Sequence, residues 1–146
     1  MISVERIDDI GRLMLWRKEV IEHVFGLTPD GSLLEANRQY YRRHIPDGSH
    51  IAFVARYDGS DAGCGSLCLS EELPSPDNPG GRCAYLMNIY VRERYRGRGI
   101  GHAVVKRLVE EARKLGCGKI YLETTCEGRS LYESVGFHDL PDMMKL

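Results

Sequence analysis

The 146-residue chain has almost no net charge, no long apolar run and no paired-cysteine motif, and each absence removes a class of function. With 20 Lys and Arg against 21 Asp and Glu, the formal net charge is -1, so no whole-molecule field favours nucleic acid or an anionic membrane. Any recognition by charge has to be local. No stretch approaches the roughly 20 apolar residues of a membrane-spanning helix, and the first residues lack the basic, apolar, small-residue order of a secretion signal. The expected setting is the cytoplasm, with neither nucleic acid nor membrane as partner.

Metal chemistry is also poorly supported. Cys64, Cys68, Cys83, Cys117 and Cys126 form an odd set without a C-x-x-C pair, and no His is spaced to complete a zinc site. They read as small buried or half-buried thiols. Cys64 and Cys68 would share one face of a strand but stand about 13 Å apart, too far to bridge. His23, His44, His50, His102 and His138 are scattered, and no metal is expected. Internal repeats, low-complexity tracts and interdomain linkers are missing too. Residues 1–146 therefore read as one domain, and 42% hydrophobic residues suffice for one core.

Periodicity and punctuation order the elements. Ile2 to Ile7 alternates as a short strand. Ile10, Leu13, Met14, Arg17, Val20, Ile21 and Val24 keep helical spacing, with Asp8 or Asp9 as N-cap, Gly26 as stop, and Trp16 and Phe25 expected to pack. Pro29-Asp30-Gly31-Ser32 breaks the chain before a second helix, Leu33 to Ile45, whose apolar side is Leu33, Leu34, Tyr40, Tyr41 and Ile45. His50 to Tyr57 and Gly63 to Leu69 flank the hairpin signal Asp58-Gly59-Ser60-Asp61. The proline-rich segment Pro74 to Gly81 is a loop. Cys83 to Val91 is an apolar strand, and Ile100, Val104, Leu108, Ala112 and Leu115 mark an amphipathic helix ending at Gly116. Lys119 to Thr125 predicts a strand, Gly128 to Val135 a short helix, and Phe137 to Leu146 one or two short final strands. The order βαα-βββ-α-β-α-β predicts an α+β (α/β layered) domain with a single mixed sheet.

Between the apolar strand and the amphipathic helix lies Arg96-Gly97-Arg98-Gly99-Ile100-Gly101. A strand, a glycine turn and a helix N-terminus make an anion site, because unpaired amides converge there and the helix dipole adds about half a positive charge. Arg92, Arg94, Arg96 and Arg98 add cationic charge. The alternative is a helix start that merely needs flexible glycines. The turn lacks the Lys and following hydroxyl of a nucleoside-triphosphate loop, and G-x-G-x-G is not the G-x-G-x-x-G of a dinucleotide fold.

The turn resembles the [QR]-x-x-G-x-[GA] signature of the GNAT superfamily of acyl-CoA N-acyltransferases, with Arg96, Gly99 and Gly101 in its three fixed places. Downstream, Leu131-Tyr132-Glu133-Ser134-Val135-Gly136-Phe137 resembles the family's L-Y-E-x-x-G-F, and the element order matches along the whole chain. The resemblance implies the acyl-CoA N-acyltransferase fold, with a mostly antiparallel sheet flanked by helices, and acetyl-CoA as cosubstrate without a metal. It places the pyrophosphate on the amides of Arg96, Gly97, Arg98, Gly99, Ile100, Gly101 and His102. The pantetheine arm falls along Ile89, Tyr90 and Val91, where this strand splays from the next. Tyr132 matches the family tyrosine that protonates the leaving sulfur.

Three departures from the family pattern stand out. Tyr85 occupies the place where many members carry a glutamate base, so Glu71, Glu72 or Glu123 are the candidates for that role, acting through water. Thr125 stands where an Asn often contacts the cofactor arm, and Gly128 where an Ala packs. The resemblance implies direct acetyl transfer to a primary amine of a small molecule or peptide, the acceptor site being built by Trp16 to Phe25, Leu33 to Ile45 and the loop Glu71 to Gly81. Glu71, Glu72, Asp77, Glu123 and Glu127 suggest a negative lining for that site. Polyamine, amino acid, aminoglycoside, peptide N-terminus and protein lysine remain open as acceptors. The alternative is a catalytically weak acyl-CoA-binding sensor. Family habit and the C-terminal run Met143-Met144-Lys145-Leu146, read as an edge strand, also suggest a homodimer.

Overall fold

A computed structural model describes residues 1–146. The elements in chain order are β1 (Ile2–Ile7), α1 (Ile10–Val24), α2 (Gly31–His44), β2 (His50–Tyr57), β3 (Ser60–Glu71), β4 (Arg82–Val91), a 3-10 turn (Glu93–Tyr95), α3 (Ile100–Lys114), β5 (Lys119–Leu122) and α4 (Arg129–Val135). The five strands form one sheet in sequence order. Strands β1 to β4 pair antiparallel and β5 joins β4 in parallel, so the sheet is mixed and mostly antiparallel.

Alternation along the strands divides the interior in two. Ile51, Phe53 and Ala55 of β2, Leu67 of β3, and Ala84 and Leu86 of β4 meet Ile100, Val104, Val105, Leu108, Val109 and Ala112 of α3 on one face. On the other, Ala52, Val54, Cys64 and Tyr90 meet Leu13, Met14, Trp16 and Val20 of α1 and Tyr41 of α2. Each large side chain so buried contributes about 1.5–3 kcal/mol of transfer free energy. The helix α3 lies so close that a Cβ on Gly65 of β3 would stand 2.6 Å from Val104 Cγ1. It ends as the sequence predicts, with Gly116 at φ +79 and the Cys117 amide bonded to the Ala112 carbonyl.

Caps account for the helix starts. Asp9 accepts from the Arg12 amide and Asp30 from the Leu33 amide, so α1 takes the second of its two candidate caps and α2 begins two residues before Leu33. Strand β3 is longer than predicted and β5 shorter, stopping at Leu122 rather than Thr125.

Residues 137–146 form no strand, contrary to the one or two expected, so the predicted edge at Met143 to Leu146 is not built and β5 is the edge strand on that side. Pro141 interrupts that segment and cannot donate to a ladder. Its Leu140 and Met143 are exposed rather than buried against a neighbour. Phe25 and Leu33 are likewise exposed where packing was expected, and Cys126 is exposed whereas the other four thiols are buried or half-buried.

Candidate functional site

Two left-handed glycines shape the turn between β4 and α3, Gly97 at φ +76 and Gly99, the N-cap of α3, at φ +83. Only glycine enters that region without steric cost. Arg96 Nε donates to the Val91 carbonyl at 3.0 Å and holds the turn against the strand end. The first backbone bond of α3 is Ala103 to Gly99, and the amides of Gly97, Arg98, Gly99, Ile100, Gly101 and His102 have no backbone acceptor, whereas the Arg96 amide, expected to join them, donates to the Glu93 carbonyl at 3.1 Å and closes the 3-10 turn instead. That run of free donors at a helix N-terminus is built for an anion. Arg94 stacks on Tyr95 at 4.9 Å and Arg98 on Tyr57 at 5.1 Å, leaving both charges near the turn. Arg92 is committed elsewhere, in a bidentate pair with Glu19.

The third glycine has a different task. A Cβ on Gly101 would stand 3.2 Å from Leu131 Cδ2 and 3.7 Å from Val91 Cγ2, so this glycine lets α4 lie against the start of α3 and the end of β4. His102 Nδ1 reinforces the contact through Ser134 Oγ at 3.2 Å.

Strands β4 and β5 part within the sheet. Their parallel register runs from Cys83↔Lys119 to Leu86↔Leu122, and β4 then continues alone to Val91. Just past the last pair the β3–β4 register shifts between Cys64↔Tyr90 and Ser66↔Met87, with Asn88 at φ +57. This bulge puts Met87 and Asn88 together into one cavity and restores alternation at Ile89. Tyr90 and Val91 pair with β3 on one side, and β5 does not reach their other side. An extended ligand arm could pair along that free edge.

Tyr132 lies in the first turn of α4, half-buried, its ring edge-on to Phe137 at 6.1 Å. Burial alone pushes its phenol above the ordinary tyrosine value, so it stays protonated and able to donate. Thr125 does not end a strand as predicted. Its hydroxyl accepts from the Gly128 amide at 3.3 Å and secures the approach to α4. The glycine at 128 has a physical reason: a Cβ there would lie 2.6 Å from Thr124 Oγ1 and 3.4 Å from Tyr132 Cε2.

The acidic candidates separate. Glu72 takes the Lys119 ammonium at 3.2 Å and the Cys83 thiol at 3.0 Å, and Glu71 pairs in register with Arg82 at the start of β4. Glu71 stands four residues, about 13 Å at strand rise, before the point where β4 and β5 part, and Glu72, whose amide bonds the Gly81 carbonyl, one residue further still. Glu123 directly follows β5, at the parting itself. The Tyr85 ring packs tilted against Tyr121, centroids 5.1 Å apart, and burial, then the Glu123 charge, push its hydroxyl up to about 12.

A cavity of about 310 Å³ lies beneath α1 and α2, with Arg17, Asn37, Tyr40, His50 and Asn88 in its wall. Arg17 Nε donates to Asn37 Oδ1 at 3.0 Å and Nη1 to Asn88 Oδ1 at 2.8 Å. The Tyr40 hydroxyl meets His50 Nδ1 at 2.9 Å, and burial drives the His50 pKa down to about 4. Arg17, Asn37 and Tyr40 fall in the two helical segments expected to build the acceptor site, whereas His50 and Asn88 have no local sequence signal that would place them with these residues. A larger cleft of about 470 Å³ opens beside β5 and α4, with Leu122, Thr124, Tyr132 and Phe137 in its wall.

The model of the acetyltransferase (GNAT) family matches residues 18–137. Glucosamine 6-phosphate N-acetyltransferase of Trypanosoma brucei brucei is 34% identical over 129 residues, 88% of this chain and 84% of that protein. Thialysine N-epsilon-acetyltransferase of Sus scrofa is 32% identical over 97 residues, 51% of this chain and 57% of that one. Further matches to plant and mammalian enzymes of these two kinds span 34% to 38% of their lengths. Among solved structures, a Clostridium acetobutylicum chain described as a predicted acetyltransferase and crystallised with acetyl-CoA superposes with a TM-score of 0.88, at 24% identity and over 100% of this chain and 96% of that one. That likeness is one of fold.

Proposed function

Because the chain belongs to the acetyltransferase (GNAT) family, we propose that it transfers the acetyl group of acetyl-CoA directly to a primary amine of a small molecule or peptide. The observation that carries this reading is the run of free amides from Gly97 to His102 at the end of a strand parted from its neighbour. Acetyl-CoA supplies the activated acetyl group. A pyrophosphate fits the amide run, which offers donors and the positive end of a helix dipole. The main chain of Ile89, Tyr90 and Val91 offers the edge for the pantetheine arm, so the thioester would stand near the bulge at Asn88.

Tyr132 acts as general acid. Its helix is pinned to the anion turn through Leu131 and Gly101, and its protonated phenol suits a thiolate of similar basicity. The incoming ammonium must lose a proton first. Tyr85 is a poor base, since its hydroxyl holds its proton up to about 12. Glu123 stands at the parting of the strands and takes the base role through water, in preference to Glu71, paired with Arg82 at the far end of β4, and Glu72, which follows it. The relatives named for glucosamine 6-phosphate and thialysine support small amines as acceptors.

Incubating the protein with acetyl-CoA and a panel of amines, while following thiol release and the acetylated product by mass, tests the proposal. Turnover with at least one amine is expected. Saturable coenzyme A binding without acetylation across a broad panel would instead favour a sensor.

A further inference from the structure

Arg17 is a half-buried cation with a cavity in front of it and no carboxylate beside it. It interrupts the apolar stripe of α1, between Leu13 and Met14 on one side and Val20 and Ile21 on the other. Arg92, the neighbouring inward-facing arginine, is neutralised by Glu19. Arg17 has two amide oxygens as hydrogen-bond acceptors, those of Asn37 and Asn88, and the Phe25 ring 5.9 Å from its guanidinium carbon. A guanidinium carries five N–H donors, so its whole Nη2 amino group and one hydrogen on Nη1 are unused. Keeping such a charge out of water without a counter-ion is costly.

The setting is arranged around that charge. Asn88 adopts φ +57 at the bulge, a conformation L side chains seldom take, and its amide oxygen thereby reaches Arg17. The other walls of the cavity include Tyr40, Tyr41 and Met87, with no acidic residue among them. His50 is buried and uncharged there, and its Nε2 has no partner. The acidic lining expected from the sequence is therefore not what this pocket presents.

Resting on the acetyl-transfer reading above, we propose that Arg17, braced by Asn37 and Asn88, binds an oxyanion of the acceptor itself, a carboxylate or a phosphate, so that the substrate is an anionic amine. An oxyanion on the free Nη2 edge would sit beside Asn88 and next to the Ile89–Val91 edge, which brings the amine of the same small molecule to the acetyl group. A bidentate guanidinium–oxyanion pair supplies both affinity and orientation. A polyamine or an aminoglycoside would meet a like charge instead.

Matched pairs that differ only in the anion provide the test: glucosamine 6-phosphate against glucosamine for phosphate, and lysine against cadaverine for carboxylate. The wild type should favour the anionic member of at least one pair by about 10–100-fold in kcat/KM. Arg17→Gln should bring that ratio close to one, and Arg17→Lys should leave it in between. Asn88→Asp, which sets a carboxylate on Arg17 without removing the arginine, should also collapse the ratio and covers the case in which Arg17→Gln does not fold. Equal use of both members of each pair, or a preference for the members that lack the anion, overturns the proposal. If no amine at all is acetylated, the acetyl-transfer reading fails separately. Thermal shift with glucosamine 6-phosphate or glutamate then decides the anion site: stabilisation lost in Arg17→Gln supports it, and the same shift in both proteins overturns it.

Discussion

The Arg92 guanidinium grips both carboxylate oxygens of Glu19, Nε to Oε2 at 2.9 Å and Nη2 to Oε1 at 3.0 Å. It also covers the Trp16 ring at 4.5 Å, so it ties α1 to the residue that leaves β4 for the anion turn. The Arg92 hydrogen bond is the main cause that holds the Glu19 carboxyl below its usual value, against an opposing effect of burial. A carboxyl depressed in the folded state adds stability above its unfolded pKa and loses it as pH falls through the folded one. Glu19→Gln should cost about 1–2 kcal/mol at pH 7, discounted for partial exposure. Urea unfolding at pH 7 and pH 3 should show the gap to the wild type narrowing in acid.

His50 gives the opposite chemistry with the same sign. Burial, followed by the charges of His44 and Arg17, holds it neutral down to about 4 against a reference of 6.5. The unfolded chain takes up a proton through that window and the folded chain does not, so stability falls as pH drops from about 6.5 to 4, by at most roughly 3 kcal/mol. The ring resonances of His50 should stay neutral at pH 5.5. Protonation near 6.5 would contradict its burial.

Removing one oxygen from Tyr132 tests its role with little change in packing. Tyr132→Phe should lower kcat by about 100-fold and leave the KM for acetyl-CoA within a factor of about two. An unchanged kcat would take the phenol out of the mechanism.

Gly128 has an ordinary helical backbone at φ -82, so its constraint is steric only. Gly128→Ala should displace Thr124 and the Tyr132 ring, at a cost of about 1–2 kcal/mol and a fall in kcat. Adding Thr124→Ala should recover most of both losses, and a double-mutant cycle with no coupling would refute the contact.

At Gly99 the constraint is conformational. Gly99→Ala at φ +83 should strain the turn by about 1–2 kcal/mol and raise the Kd for coenzyme A several-fold, measured by calorimetry, whereas Gly99→Asn should do less harm.

The anion turn and the segment at Tyr132 were legible in the sequence because each is continuous in the chain, and the helices because apolar spacing reports which side faces inward. Asp9, Asp30 and Gly116 marked helix ends through bonds spanning a few residues. Periodicity says that a residue points inward but not whom it meets. Arg17 reaches Asn88 across 71 residues, Lys119 reaches Glu72 across 47, and Arg92 reaches Glu19 across 73. Those meetings set Glu72 in an ion pair with Lys119 and leave the cavity beneath α1 and α2 with Arg17 and no acidic residue in its wall. The extent of β5 and the strandless C-terminal segment were also outside local reach, because a strand exists only where a neighbour completes its hydrogen bonds. The sequence by itself determined the glycine turn before α3, the segment around Tyr132 and the succession of elements. The tertiary structure decided the bulge, the parting of β4 from β5 and the setting of Arg17 between Asn37 and Asn88, since each depends on contacts between segments distant in the chain.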